Sequence, residues 1–314
     1  MISRSWIILT IIFFSCTKEK RTTTGEVFCL NKDYETEKVI IVVIDGPRMS
    51  ETWEHPSQEY IPYLANELSR RSTIGRELHN LGSTYTIPGH IALTTGSYDF
   101  KTNDGSEYPS TASMFQLYLK CSQKPPSDAY IITSKKKLAV LGETEDLAYR
   151  NSYRPSVDAE ERSDIDTYRR ALEILKFQKP SLSLIHFKGP DTEGHGGRWD
   201  GYIRAIIETD SLLNEIVQFV DSNPDYKGKT AILMTNDHGR HLDGIADGFV
   251  SHGDHCRGCT HINFMAYGPD FKTDEMVFEP YEIIDILPTV GELLGFDVAG
   301  ARGQVMKDIF KNLK

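Results

Sequence analysis

With 45 Asp and Glu against 35 Lys and Arg, the 314-residue chain has a formal charge of -10 and no basic stripe, which excludes nucleic acid as its main partner. A hydrophobic content of 39% with 25% charged residues excludes a disordered or fibrous chain and leaves a globular one, long enough for one large core. Net acidity does not exclude phosphate, because a bound cation can dominate the field at a local site.

Residues 1–15 carry one arginine and the apolar run 6–14, too short to span a bilayer and suited to the hydrophobic region of an export signal. Cys16 follows, then the polar stretch 17–24. This arrangement resembles a bacterial lipoprotein signal, which implies cleavage before Cys16, lipidation of that cysteine, and a bacterial membrane anchor facing the periplasm or cell surface. The alternative is an ordinary cleaved signal or an uncleaved anchor, and either exports the chain. Cys29, Cys121, Cys256 and Cys259 are then four thiols in an oxidising compartment, with three complete pairings open. The close pair Cys256 and Cys259 reads as a local disulfide, or as partners for Cys29 and Cys121. A redox motif or a Cys₄ zinc site is the weaker reading, since no second close pair exists.

The run 38–46 is almost continuously branched and apolar and ends in Asp45, the pattern of a buried central strand with an acid at its carboxyl end. The spacing at 61–71 predicts a helix, followed by a short apolar segment at 78–81. Next comes Thr86-Ile87-Pro88-Gly89-His90. Pro88 belongs in a first helical turn, so Thr86 sits where a loop becomes a helix, its hydroxyl facing free N–H donors that favour an anion. A helix is expected over 111–119 and strands over 129–133 and 139–141, with the basic run 135–137 read as an exposed turn between them. The polar stretch 149–163 reads as a surface insertion, and 165–177 as a helix. Strands are expected at 182–187, 229–235 and 262–267, with a long helix from about Trp199 to Val220 and a last helix over 282–294 that Pro288 would kink. Strands alternating with helices predict an α/β fold, a central mainly parallel sheet with helices on both faces.

Ligand-type side chains gather after these strands. Asp191 and His195 follow the strand at 182–187, Asp237 and His238 follow the strand at 229–235, and Asp45 supplies a third acid. His252, or alternatively His255, comes from a glycine-rich loop. Mixed Asp and His donors suit zinc, with manganese or iron as alternatives. One Asp-His pair has mundane explanations, but several at successive strand ends converge in one sheet crevice.

From residue 38 to about 303 the ordered set Ile44-Asp45-Gly46, the Thr86 segment, Asp191 to His195, Thr235-Asn236-Asp237-His238-Gly239, Ser251-His252-Gly253 and the late Asp285 helix resembles the alkaline phosphatase superfamily. Its nucleotide pyrophosphatase/phosphodiesterase branch is the most similar. The resemblance implies a single metallohydrolase domain over 37–314, behind an export signal (1–15) and a lipid-anchor tether with an N-terminal segment (16–36). It implies two divalent ions, zinc or else manganese, one held by Asp191, His195 and His252 and the other by Asp45, Asp237 and His238. Thr86 would touch the second ion and act as nucleophile through a phosphothreonine intermediate on a small phosphorylated substrate. Asn103, Lys188, Arg198 and Arg240 are the candidates for substrate binding, although Asn103 stands closer to Thr86 than the family's asparagine.

The expected activity is phosphodiester or pyrophosphate hydrolysis. Phosphomonoester and phosphonate hydrolysis are the near alternatives. A phosphotransferase, a sulfatase and a non-catalytic binding lipoprotein are further ones. The sulfatase reading is disfavoured because Thr86 cannot become the aldehyde hydrate of that family. The sequence does not set the oligomeric state.

Overall fold

The computed structural model describes residues 27–298 and 301–313, so the expected export signal and Cys16 lie outside the described residues. Among the described residues the strands are β1 (Val27–Cys29), β2 (Lys38–Ile44), β3 (Thr73–His79), β4 (Ala129–Thr133), β5 (Ser156–Ala159), β6 (Leu182–Phe187), β7 (Thr230–Thr235), β8 (His261–Tyr267), β9 (Glu275–Val277), β10 (Tyr281–Glu282) and β11 (Phe296–Val298). The helices are α1 (Thr86–Thr95), α2 (Met114–Ser122), α3 (Asp164–Phe177), α4 (Gly189–His195), α5 (Trp199–Ser222), α6 (Arg257–Thr260) and α7 (Ile286–Leu294).

Nine strands form one sheet in the order β10-β3-β8-β7-β2-β6-β4-β5, with β9 also paired to β3. From β7 to β5 all pairs are parallel, whereas β8 runs antiparallel to both β7 and β3. The α/β sheet expected from the sequence is therefore present, mixed only at one side.

The period-two geometry of a strand explains why β2 must be apolar throughout. Val39, Ile41 and Val43 enter the core that contains Ile91 of α1, Phe115 of α2 and Val290 of α7. Ile40, Val42 and Ile44 enter the opposite core, with Ile174 of α3 and Ile206 and Leu213 of α5. Each buried branched side chain contributes about 1.5–3 kcal/mol relative to exposure, so the run fixes β2 at the centre of the molecule.

Several local expectations are corrected. Residues 139–141 are not a strand: Lys136–Gly142 is a 3-10 helix with Leu138, Val140 and Leu141 buried. Three apolar residues are too few for a period to distinguish the two. The stretch 149–163 contains β5, which pairs in parallel with β4 and completes one sheet edge, and Tyr149 within it is buried. The expected helix at 61–71 is π-helical over Leu64–Leu68 and then 3-10 over Ser69–Arg71. Pro288 falls in the first turn of α7, where its missing N–H breaks no bond, so it implies no kink. Within the stretch expected as tether and N-terminal segment, β1 pairs with β11, and the N–H and Oγ1 of Thr36 bond to Asp270. Cys29 and Cys121 are joined, while Cys256 and Cys259 are free thiols, contrary to the disulfide expected for that close pair.

Candidate metal centre

Register delivers the acids to one level. Ile44 lies opposite Phe187, and Val43 opposite Thr235, so the carboxyl ends of β2, β6 and β7 release Asp45, the turn into α4, and Asn236-Asp237-His238 side by side. Asp164 fixes the turn after β6 by accepting the N–H groups of Lys188 (2.8 Å) and Gly189 (2.7 Å). α4 then presents Asp191.

Asp45, Asp237 and His238 offer ligand atoms that all lie within 4.8 Å of one another, and so do Asp191, His238 and His252. The first set coincides with a ligand group expected from the sequence. The second replaces His195 with the shared His238, yet His195 is adjacent: its Nε2 is 3.3 Å from Asp191 Oδ1 and 3.0 Å from His252 Nε2. His255 is exposed and joins neither set.

The imidazoles are held in one orientation by main-chain carbonyls. His238 donates from Nδ1 to Gly239 O (2.9 Å) and His252 from Nδ1 to Thr84 O (2.7 Å), so each presents the Nε2 lone pair to the carboxylates. The two rings stack with centroids 3.7 Å apart. Burial pushes the His238 imidazole down to about 4, favouring the neutral form that binds metal. Asp45 Oδ1, Asp237 Oδ2, His238 Nε2 and His90 Nε2 are buried without a hydrogen bond. Unpaired polar atoms of this kind are costly in an interior, and three of them converge, with His238 Nε2 3.4 Å from Asp45 Oδ1 and 3.3 Å from Asp237 Oδ2, an arrangement that fits a divalent cation.

Sequence reasoning missed three residues here. Lys135, expected on an exposed turn, points inward from the end of β4, with its ammonium 2.7 Å from Asp45 Oδ2 and 2.5 Å from Asp191 Oδ2. Burial opposes its charge, but the two carboxylates outweigh that and raise its pKa. Burial and the nearby Asp191 carboxylate likewise oppose ionisation of Asp45, and Lys135, His186 and His238 together hold it well below the usual range. His186 on β6 lies 2.9 Å from Asp45 Oδ2 through its Nε2. His90 on α1 donates from Nδ1 to Thr86 O (2.8 Å), with Asp237 Oδ2 at 3.3 Å. The available signal was position: Lys135 follows a sheet strand at its carboxyl end, and His186 interrupts an apolar run.

Thr86 is the first residue of α1 and is buried. The helix reaches the metal cluster because Gly89 has no side chain, a Cβ there coming within 2.7 Å of Asp237 O. One of the helix-start donors expected to be free is taken, since Ile87 N–H donates to Asn103 Oδ1 (2.9 Å). Lys137 Nζ also reaches Asn103 Oδ1, at 3.0 Å. Asn103 therefore stands beside Thr86. The three basic residues expected to bind substrate are placed differently. Lys188 pairs with Glu161 at 2.7 Å and Arg198 with Glu193 at 2.7 Å, both on the surface. Arg240 is fully buried and its fork is consumed by Asp191, Phe249 O and Val250 O.

Residues 151–298 match the family model described as Metalloenzyme superfamily. In sequence, the chain is 24% identical over 201 residues to a 2,3-bisphosphoglycerate-independent phosphoglycerate mutase of Haloquadratum walsbyi, covering 62% of this chain and 37% of the mutase. The chain thus spans little more than a third of that relative's length. Among solved structures, BT1596, a 2-O GAG sulfatase, aligns with a TM-score of 0.66 at 14% identity, over 89% of this chain and 76% of the other. The C-terminal periplasmic domain of EcEptC from Escherichia coli aligns with a TM-score of 0.64 at 14% identity, over 93% and 92%. Just under half of the chain is thus similar to the Metalloenzyme superfamily, and the solved structures share its fold.

Proposed function

We propose that this chain is a two-metal phosphoric ester hydrolase that cleaves small phosphodiesters or pyrophosphates with Thr86 as nucleophile, in the manner of the nucleotide pyrophosphatase/phosphodiesterase branch. The observation that carries this reading is the convergence of unpaired buried atoms of Asp45, Asp237 and His238 beside the first turn of the helix that Thr86 begins. Asp45, Asp237 and His238 would hold one ion, and Asp191, His252 and His195 the other. Zinc or manganese bound there would lower the pKa of a neighbouring hydroxyl and offset phosphoryl charge.

The remaining chemistry belongs to the chain. Thr86 Oγ attacks phosphorus in line, the leaving alcohol departs from the opposite side, and the group is carried as phosphothreonine. Water then displaces Thr86 in a second in-line step, so configuration at phosphorus is retained. Lys137 is placed to meet a phosphoryl oxygen as a point charge, and Asn103 orients both Lys137 and the start of α1. Lys135 keeps the facing carboxylates ionised. The disulfide Cys29–Cys121 supports an exported protein, with a lipid anchor at Cys16 ahead of one domain that takes in β1 as well as residues from 37 onward.

Turnover of aryl phosphodiester, aryl phosphate and aryl sulfate, compared after loading with zinc or manganese, tests the reading. The diester is expected to turn over fastest, Thr86→Ala to abolish turnover and Thr86→Ser to keep part of it. Full turnover by Thr86→Ala, or preference for the sulfate, would overturn it. Phosphoryl transfer to an alcohol is the second reading, favoured by the mutase named among the relatives. A phosphorylated product formed with added glycerol separates it from hydrolysis.

A further inference from the structure

A third group of ligand-type side chains lies beyond the two clusters and takes no part in the proposed hydrolysis. His241 comes from the loop after β7, Asp254 and Cys256 come from the segment leading into α6, and Cys259 lies within α6. One atom from each lies within 4.8 Å of the others. Tetrahedral zinc with bonds of ~2.0–2.3 Å separates its ligands by about 3.3–3.8 Å, so the set needs to close by roughly 1 Å.

His241 is prepared as a ligand. The residue is 6% exposed, and its Nε2 is buried without a hydrogen bond, 3.2 Å from Asp254 Oδ2. Its Nδ1 lies 3.2 Å from Asp247 Oδ1. An imidazole that donates Nδ1–H to a carboxylate leaves the Nε2 lone pair free and aimed, the arrangement that orients metal-ligating histidines. The main chain is equally fixed: His241 N donates to Ser251 O (3.1 Å), and Arg48 Nη1 donates to His241 O (2.8 Å).

The two cysteines are set by one turn, in which Cys259 N donates to Cys256 O (3.0 Å). Gly258 within it lies flat against the residue before His241, since a Cβ there would stand 2.3 Å from Arg240 O. Both sulfurs are thiols in a chain that joins its other described pair, Cys29 and Cys121. Two thiolates, an imidazole and a carboxylate make a closed four-donor set that suits zinc and excludes magnesium and calcium, which take oxygen.

We infer that His241, Asp254, Cys256 and Cys259 form a structural zinc site that clamps the loop carrying His252. On binding, both thiols release their protons to solvent and no electron transfer is involved. The clamp acts on the metal centre through the chain: Thr84 accepts the His252 Nδ1–H at its carbonyl, and its hydroxyl donates to Asp254 O at 2.7 Å. Zinc at the third site therefore fixes His252 and the segment two residues before Thr86.

The test uses the full chain produced with zinc. The Cys256→Ser/Cys259→Ser double variant is expected to hold one zinc per chain fewer than the wild type. The cobalt-loaded wild type is expected to show an intense thiolate-to-metal absorption band that the variant lacks. Equal zinc content in the two proteins, or no such band in the wild type, would overturn the inference. If the variant does not fold, alkylation mapped by mass spectrometry decides on the wild type alone. Cys256 and Cys259 should be protected when zinc is bound and modified after chelation. Modification regardless of zinc, or a Cys256–Cys259 disulfide in the unreduced protein, counts against the site.

Discussion

Gly89 of α1 and Asp237 after β7 meet with no side chain between them, a Cβ on Gly89 falling 2.7 Å from the Asp237 carbonyl oxygen. Gly89→Ala should therefore push the first turn of α1 away from the carboxylates. Overpacking costs about 1–3 kcal/mol, against a helix-propensity gain of at most ~1 kcal/mol, so a net loss of stability is expected. Under the proposed mechanism, turnover should fall on the order of 100-fold, because a 1 Å misplacement of a reacting group costs about that much. Denaturant unfolding and single-substrate kinetics on the same preparation measure both. Unchanged turnover would show that the position of Thr86 does not depend on this contact.

Lys135 lies between two buried carboxylates, and removing one partner of a buried ion pair is expensive. Lys135→Met is expected to destabilise the chelated protein by about 3–5 kcal/mol. Added zinc should recover much of that loss, since a cation bound only by the folded state raises its stability. Urea unfolding in chelator and in excess zinc gives the two numbers. Equal stability of variant and wild type in chelator would mean that Asp45 and Asp191 do not need the ammonium.

Asp210 on α5 accepts the N–H groups of Tyr63 (2.8 Å) and Leu64 (2.9 Å). Burial nevertheless pushes its carboxyl from 3.8 up to about 6. The folded protein thus binds this proton more tightly than the unfolded chain does. The resulting stability is complete below about pH 4 and is lost as pH rises through about 6, a span worth about 3 kcal/mol at ~1.4 kcal/mol per pH unit. Asp210→Asn should be less stable than the wild type at pH 4 and close much of that gap by pH 7. Unfolding free energies measured in chelator at several pH values provide the check, and parallel curves for the two proteins would contradict it.

The Cys29–Cys121 bridge closes a loop of sequence separation 92 onto β1, a strand of only three residues. A loop of that size restricts the unfolded chain by about 4–5 kcal/mol in the chain-entropy account. The Cys29→Ser/Cys121→Ser variant is expected to lose up to that amount and to exchange the β1 and β11 amides rapidly. Hydrogen exchange and denaturant midpoints report the two effects separately.

The parts of this molecule that sequence made readable were those where one physical cause acts alone. Asp45, Asp191 and Asp237 stand out because each follows an apolar run that can only be a buried strand. Lys135 does not, because three adjacent lysines look solvated, and only the fold reveals that the first faces two acids. Arg240 shows the reverse problem. Its place beside His238 was readable, but nothing in the sequence indicates that Asp191 and two carbonyls already occupy its guanidinium. The segment 139–141 was misread for lack of length, and β5 because a short half-exposed edge strand has little apolar content.

The pairing of Ile44 with Phe187 and of Val43 with Thr235 works as a ruler. Exchanging one branched residue for another inside β2, β6 or β7 leaves the ruler intact, but deleting a single residue turns every later side chain of that strand to the opposite face. In β7 such a deletion would exchange Leu233 and Met234 between the two cores and carry Asp237 out of reach of Asp45. Natural variation in these strands should therefore consist of replacements, with gains and losses of length confined to the connections between them.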